Sequence, residues 1–299
     1  MSDELRIEAD DELVRRLLRS QAPQLAELPL KRLMTAGVNN TIYRLGDELT
    51  VRLPQTAWCA DHIRKEQRWL PALGEHLTLR IPTLVHACRP GDDFPWHWSV
   101  YTWLDGDEAV RTPATDEHVT ARQLATLVGE LQQIPITGGP LSGEHSGMRG
   151  LPLAVRDPVV RQALANITSF DTAAATAAWE AAVKTPDWPG RLVWSHGDLH
   201  PGNVLVDNGV LSAVIDWEML SVGDPALDLS GAWMLLTAAG RATFRHCLTV
   251  DDDTWARGRG WALCIGVIAA AYYHDSNPVL AGFSRRAAQD AVDDFLRNG

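Results

Sequence analysis

Between residues 41 and 53 apolar and polar side chains alternate in two short runs, TIYRL and LTVRL, separated by Gly46, Asp47 and Glu48. Alternation of period two around turn formers predicts a hairpin with strands over 41–45 and 49–53. In the second strand Leu49, Val51 and Leu53 share one face, and Thr50 and Arg52 the other. The period then lengthens: in DHIRKEQRWLPAL, Ile63, Glu66, Leu70 and Leu73 recur at helical spacing. Glu66 therefore lies on the stripe that faces the sheet. A carboxylate buried alone is costly, so either Arg52, the nearest basic residue by topology, pairs with it, or Glu66 flanks the stripe and reaches water.

Further strands are expected over 81–87 and 98–103, and an N-terminal helix over 11–19. The loop AGVNN, residues 36–40, feeds the first strand. Its Gly37 is able to take positive φ and, with Asn39 and Asn40, turn backbone amides toward an anion; a plain hairpin entry explains the loop equally well. LDGD at 104–107 breaks the strand pattern like a hinge, which divides the chain into an N-terminal lobe, 1–103, and a C-terminal lobe, 104–299. Beyond the hinge, ARQLATLVGELQQI at 121–134 is an amphipathic helix. WALCIGVIAAAYY at 261–273 is apolar all round, yet too short to cross a bilayer, and predicts a buried helix. The second lobe reads as mostly helical except for one hairpin, strands 204–206 and 210–215, whose Asp207-Asn208-Gly209 connection is a strong turn signal. The fold class is α+β, an antiparallel sheet plus helix followed by a larger helical part.

Composition adds constraints. The chain has 299 residues, 45% hydrophobic and 22% charged, with a net charge of -11. That balance argues against nucleic acid or an anionic membrane as partner, since either calls for a basic face. The first twenty residues lack the basic and apolar regions of a signal peptide, so a cytoplasmic protein, monomeric or weakly dimeric, is expected. Cys59, Cys88, Cys247 and Cys264 have neither zinc-site nor dithiol spacing and read as reduced thiols.

The chemistry concentrates in WSHGDLHPGNVLV, residues 194–206. Gly197, Asp198, Pro201, Gly202 and Asn203 alone describe a surface turn. Antiparallel pairing of the hairpin, however, brings Asn203 beside Asp216, with Asp198 in the loop leading in. Three oxygen-bearing side chains converging there suit Mg²⁺, with phosphate oxygens and waters completing its shell.

HGDLHPGN followed by VIDWE and GDPALDLS resembles the aminoglycoside phosphotransferase and choline kinase group, small-molecule kinases with a bilobal, protein-kinase-like fold. The resemblance runs from the loop at Ala36 to about Trp233 and is strongest between His196 and Asp228. It implies that Asp198 is the catalytic base and that Asn203 and Asp216 hold Mg²⁺ against the phosphates of ATP or GTP. His196 would support the loop. His200 is either a loop-packing histidine or a substrate contact, and Glu218 either backs the metal site or is solvated. Tyr101 and Trp103 lie at the hinge, where backbone groups distinguish adenine from guanine.

Two departures matter. Where many kinases of this fold grip phosphates with a Lys, this chain has Arg52; its three lysines, Lys31, Lys65 and Lys184, lie elsewhere. Seven residues separate Asp216 from Asp224, too few for a long activation segment, which points to a small-molecule acceptor. Between Arg191 and Arg241 there is no Lys or Arg but six acids, Asp198, Asp207, Asp216, Glu218, Asp224 and Asp228. A cleft so charged concentrates a cationic acceptor, with Asp224 and Asp228 as contacts and Tyr272 and Tyr273 as cation-π surface. The expectation is phosphoryl transfer to a hydroxyl of an aminoglycoside or macrolide, and so antibiotic resistance. The alternatives are a metabolic kinase for choline, homoserine, an amino sugar or a fructosamine, and a silent nucleotide-binding module.

Overall fold

The computed structural model describes residues 5–33, 39–91, 93–167 and 171–298. The chain divides into two units, Met1–Glu75 with Arg80–Asp105, and His76–Leu79 with Gly106–Gly299.

In the first unit, helix α1 (Asp11–Gln21) is capped by Asp10, whose side chain accepts the Leu13 N–H at 2.8 Å. It is followed by β1 (Leu30–Leu33), β2 (Asn40–Leu45), β3 (Leu49–Pro54), α2 (Ala57–Gly74), β4 (Leu84–Cys88) and β5 (Trp98–Thr102). The strands form one antiparallel sheet in the order β1-β2-β3-β5-β4. Val51 and Leu53 join Tyr43, Leu45, Trp98 and Val100 in a core closed by Val14, Leu17 and Leu18 of α1. The apolar face of the hairpin is thus covered by α1, and the face carrying Arg52 receives α2. β1 was not expected: in LKRL both central residues are exposed, as on an edge strand, and apolar alternation is absent. α2 starts four residues before the expected helix because Thr56 caps it, and it runs through Pro71.

The second unit contains β6 (Asp107–Glu108), α3 (Glu117–Gln133), α4 (Asp157–Asn166), α5 (Thr172–Lys184), β7 (Val193–Ser195), β8 (Val204–Asp207), β9 (Val210–Val214) and β10 (Ser221–Gly223). Five helices follow, α6 (Ala226–Leu229), α7 (Gly231–Leu235), α8 (Ala238–Leu248), α9 (Asp252–Tyr272) and α10 (Pro278–Asn298). α9 is central, packing on α10, α6, α5 and α4. At its Gly266 an added Cβ would stand 2.8 Å from both Ala288 Cβ and Ser284 O, so the glycine lets α10 approach. No helix among the described residues is long and apolar enough to cross a membrane.

The expected hairpin is β8–β9. Asn208 at φ 51° and Gly209 at φ 80° make its turn, both positive as a type I′ connection requires. Reading the second unit as helical apart from this hairpin needs correction. β6 adds a strand beside β8, in place of a free hinge at Asp107, and β7 pairs with β10. β7 and β10 are three residues long and buried at every position, so no alternation betrays them.

Candidate active site

The loop from His196 to Asn203 connects β7 to β8, and its conformation is dictated by backbone groups that find side-chain partners. Gly197 sits at φ 82°, with the Met219 carbonyl oxygen 2.7 Å from where a Cβ would be. That turn aims two N–H groups at one carboxylate: Asp228 Oδ2 accepts from His196 N at 2.7 Å and Oδ1 from Gly197 N at 2.8 Å. Burial pushes the Asp228 carboxyl above its ordinary range, while the His196 ring and the two backbone donors pull the other way.

Both loop histidines have their tautomer set by the backbone. His196 Nδ1 accepts the Asp198 N–H at 3.1 Å, so Nε2 carries the proton and donates to Ile215 O at 3.1 Å. The ring is fully buried, edge-on to Trp217 at 4.6 Å, and burial lowers its pKa, which keeps it neutral. His196 thereby ties Asp198 to the residue before Asp216. His200 Nδ1 likewise accepts the Gly202 N–H at 3.0 Å, leaving Nε2–H directed at Asp198 Oδ2, 3.7 Å away. Its ring packs on Phe283 at 5.1 Å, and burial lowers its pKa against the pull of Asp198 and Asp216.

Asn203 Nδ2 donates to the Asp198 carbonyl at 3.0 Å, which orients the amide and leaves Oδ1 as its ligand atom. The Ile215 N–H donates to Asn203 O at 2.9 Å, placing Asp216 beside Asn203 at the open end of the hairpin. Asp216 takes φ 61°, unusual for a residue with a Cβ and of the kind found at functional positions. One amide oxygen and one carboxylate are a donor set for a hard cation that keeps phosphate and water in its shell. Among the described residues no group of three or more His, Cys, Asp or Glu could cage a metal unaided.

In the first unit Arg52 and Glu66 meet. Arg52 Nη1 lies 2.9 and 3.1 Å from the Glu66 oxygens, and Tyr101 Oη donates to Glu66 Oε2 at 3.1 Å. All three are buried, and burial together with the Glu66 charge drives the Tyr101 phenol well above its ordinary value. Trp103 donates Nε1–H to Asp105 at 2.9 Å and lies under the Arg44 guanidinium at 4.4 Å. Asn40 is buried in β2, and Asn39 O accepts the Gln55 N–H at 2.9 Å. Gly37 lies outside the described residues.

The acidic stretch is rearranged by its contacts. Asp224, expected to face a cationic acceptor, is 6% exposed, bonded to Arg257 of α9 at 2.7 Å and to the Ala226 N–H at 2.9 Å. Asp228, expected in the same role, is 3% exposed and holds the loop as described. Both are committed because an unpaired buried carboxylate is unstable: the cation that pairs with Asp224, Arg257, lies outside the stretch that suggested an uncompensated field, and Asp228 is held by backbone N–H groups within it. Asp207 is exposed at the opposite end of the hairpin from Asp216, and Glu218 is buried, not solvated. Tyr272 is 74% exposed at the end of α9. Burial raises the Tyr273 phenol, with Tyr272 and Asp198 adding to the shift, so Tyr273 lies within electrostatic reach of the loop.

One residue was missed. Arg149 Nη1 donates to Asp198 Oδ1 at 2.5 Å and to Gly197 O at 2.7 Å. Burial pushes the Asp198 carboxyl up, but Arg149, His200 and His196 outweigh it and hold it below its ordinary value. No spacing rule links positions 149 and 198; the neighbouring Gly147 and Gly150 signal only a turn.

The model of the phosphotransferase enzyme family matches residues 32–261. A relative from Bacillus subtilis (strain 168), described as uncharacterized protein YcbJ, is 31% identical over 158 residues, 50% of this chain and 47% of the relative. The match thus spans about half the length of that relative. The GDP complex of wild-type aminoglycoside 2'-phosphotransferase-IIIa is similar in structure at a TM-score of 0.74 and 16% identity, covering 96% of this chain and all of that one. Macrolide 2'-phosphotransferase MphH from Brachybacterium faecium, as apoenzyme, is similar at a TM-score of 0.63 and 19% identity, covering 93% of this chain and 98% of that one. At such identities the likeness is one of fold.

Proposed function

The chain belongs to the phosphotransferase enzyme family, and from that premise we propose that it transfers the γ-phosphoryl group of ATP or GTP to a hydroxyl of a small molecule. The observation that carries this reading is the juxtaposition of Asp198, Asn203 and Asp216 through the Asn203–Asp198 and Ile215–Asn203 hydrogen bonds. Asp198 orients the acceptor hydroxyl and takes its proton as the acceptor oxygen bonds to phosphorus. The β–γ bridging bond breaks, and the nucleoside diphosphate leaves with its electron pair. Asn203 Oδ1 and Asp216 would hold Mg²⁺, which when bound offsets the negative charge of the phosphate oxygens. Arg52, kept in place by Glu66 and Tyr101, is our candidate for phosphate contact, with Asn39, Asn40, Gly37 and Trp103 as further nucleotide contacts.

For the acceptor we favour a bulky aminoglycoside or macrolide. The support is the fold shared with phosphotransferases of both kinds and the Tyr272–Tyr273 ring pair, of which Tyr273 lies within electrostatic reach of Asp198. A second reading has its own observation: with Asp198 paired to Arg149 and Asp224 to Arg257, the excess of negative charge shrinks, and a small metabolic alcohol fits equally.

The test is a mass-spectrometric screen of aminoglycosides, macrolides and small metabolic alcohols with Mg²⁺ and either ATP or GTP. A gain of about 80 Da, one phosphoryl group, names acceptor and donor. Asp198→Ala and Asp216→Asn should abolish it while the thermal transition persists. Full turnover by either variant sinks the role assignment.

A further inference from the structure

We propose that Arg149 is a positioning residue for the transfer step: it pins one oxygen of Asp198 so that the other faces the incoming hydroxyl. The inference rests on the reading of Asp198 as the base. Its starting point is the division of labour within the carboxylate. Oδ1 receives the Arg149 Nη1 donor at 2.5 Å. For Oδ2 the partner in view among the described residues is His200 Nε2 at 3.7 Å, too far for a hydrogen bond. The oxygen left to accept a proton is therefore Oδ2, and the second Arg149 bond, to Gly197 O at 2.7 Å, keeps the guanidinium from following the carboxylate if it rotates.

The segment that presents Arg149 is built to hold it still. Gly147, Met148 and Gly150 all have positive φ, 59°, 61° and 83°, and for Met148 that is a strained conformation. Ser146 is fully buried; its Oγ accepts the Gly143 N–H at 3.1 Å and lies within donating distance of Arg149 O, also 3.1 Å. The next carbonyl, Gly150 O, accepts the Asp224 N–H at 3.0 Å, and Asp224 is clamped by Arg257. The turn is thus fastened on both sides of Arg149. Strain held by such anchors, at the point where an arginine meets the candidate base, is what a positioning device requires. A loop tether alone would need the bond to Gly197 O but not the one to the carboxylate.

Water serves as the acceptor in the test, so no identified substrate is needed. Phosphate release from Mg-ATP and Mg-GTP is followed for wild type, Asp198→Ala, Arg149→Ala, Arg149→Lys and Arg149→Gln, with nucleotide affinity and thermal midpoint measured for each. Arg149→Ala should lower kcat by about 100-fold, the scale of a misplaced catalytic group, with nucleotide KM and affinity unchanged. Arg149→Lys should recover part of the loss, Arg149→Gln less, and millimolar guanidinium should partly rescue Arg149→Ala. A folded Arg149→Ala at the wild-type rate overturns the proposal, as does a loss confined to thermal midpoint. If Arg149→Ala does not fold, Arg149→Lys and Arg149→Gln decide on the same criteria. A wild type that releases no phosphate, or an Asp198→Ala as fast as wild type, instead overturns the reading of Asp198 and takes the proposal with it.

Discussion

At the scale of single residues, the loop carrying Asp198 is held by groups whose task is to complete backbone hydrogen bonds. Asp228 closes two N–H groups, and His196 and His200 each close one through Nδ1. Gly197 is what permits the arrangement. Gly197→Ala puts a Cβ into the Met219 carbonyl at positive φ, and we expect it to cost about 1–3 kcal/mol and to cut phosphoryl transfer. Denaturant midpoints and the transfer assay measured together check this; a variant matching wild type in both disproves it. These roles were only partly legible in the sequence. Asp198, Asn203 and Asp216 are separated by short fixed spacings and one hairpin, so local rules bring them together. Arg149 reaches Asp198 across 49 positions through a turn whose conformation depends on Asp224 and Ser146, and no local pattern encodes that.

Among elements, α2 and β3 depend on one buried ion pair. Arg52 and Glu66 stay buried because each satisfies the other and Tyr101 supplies a further donor. Removing one partner strands a buried charge, so Glu66→Ala should destabilise the protein by about 3–5 kcal/mol. The double variant Arg52→Met, Glu66→Leu should recover most of that stability and still lose nucleotide affinity. Thermal melts and nucleotide titrations separate the two; a double variant that binds nucleotide like wild type removes Arg52 from the site. Arg52 and Glu66 could be matched beforehand because each element has a clear period, 2 for the strand and 3.6 for the helix. β7 and β10 could not, because strands buried on both faces leave no period to read.

For the whole molecule, a polar path runs through the second unit from the start of α9 to the candidate base. Asp251 caps α9 through the Thr254 N–H at 2.7 Å, Thr254 Oγ1 accepts from Arg257, and Arg257 holds Asp224. Partial burial raises the Asp251 carboxyl, but its hydrogen bonds from Thr254 and the nearby Arg257 outweigh this and hold it below the usual range. A carboxylate whose folded pKa is depressed adds stability above its unfolded pKa and loses it as pH falls through the folded value. Asp251→Ala should therefore cost about 1 kcal/mol at neutral pH, with the difference from wild type shrinking as pH falls below the unfolded carboxylate pKa and through the lower folded one. Urea unfolding at several pH values checks the trend, and a penalty unchanged at acid pH contradicts it.

The end of α9 and the start of α10 have the opposite character. Tyr272 is mostly exposed, Tyr273 is half-buried near Asp198, and Phe283 rests on His200. Tyr272, with the least burial of the three, has little stability to lose on substitution and is the position freest to drift under selection while the transfer machinery stays constant. Under our reading, a change of antibiotic or metabolite would then begin with a substitution at Tyr272, where a lineage carrying this scaffold widens its repertoire at little cost in folding.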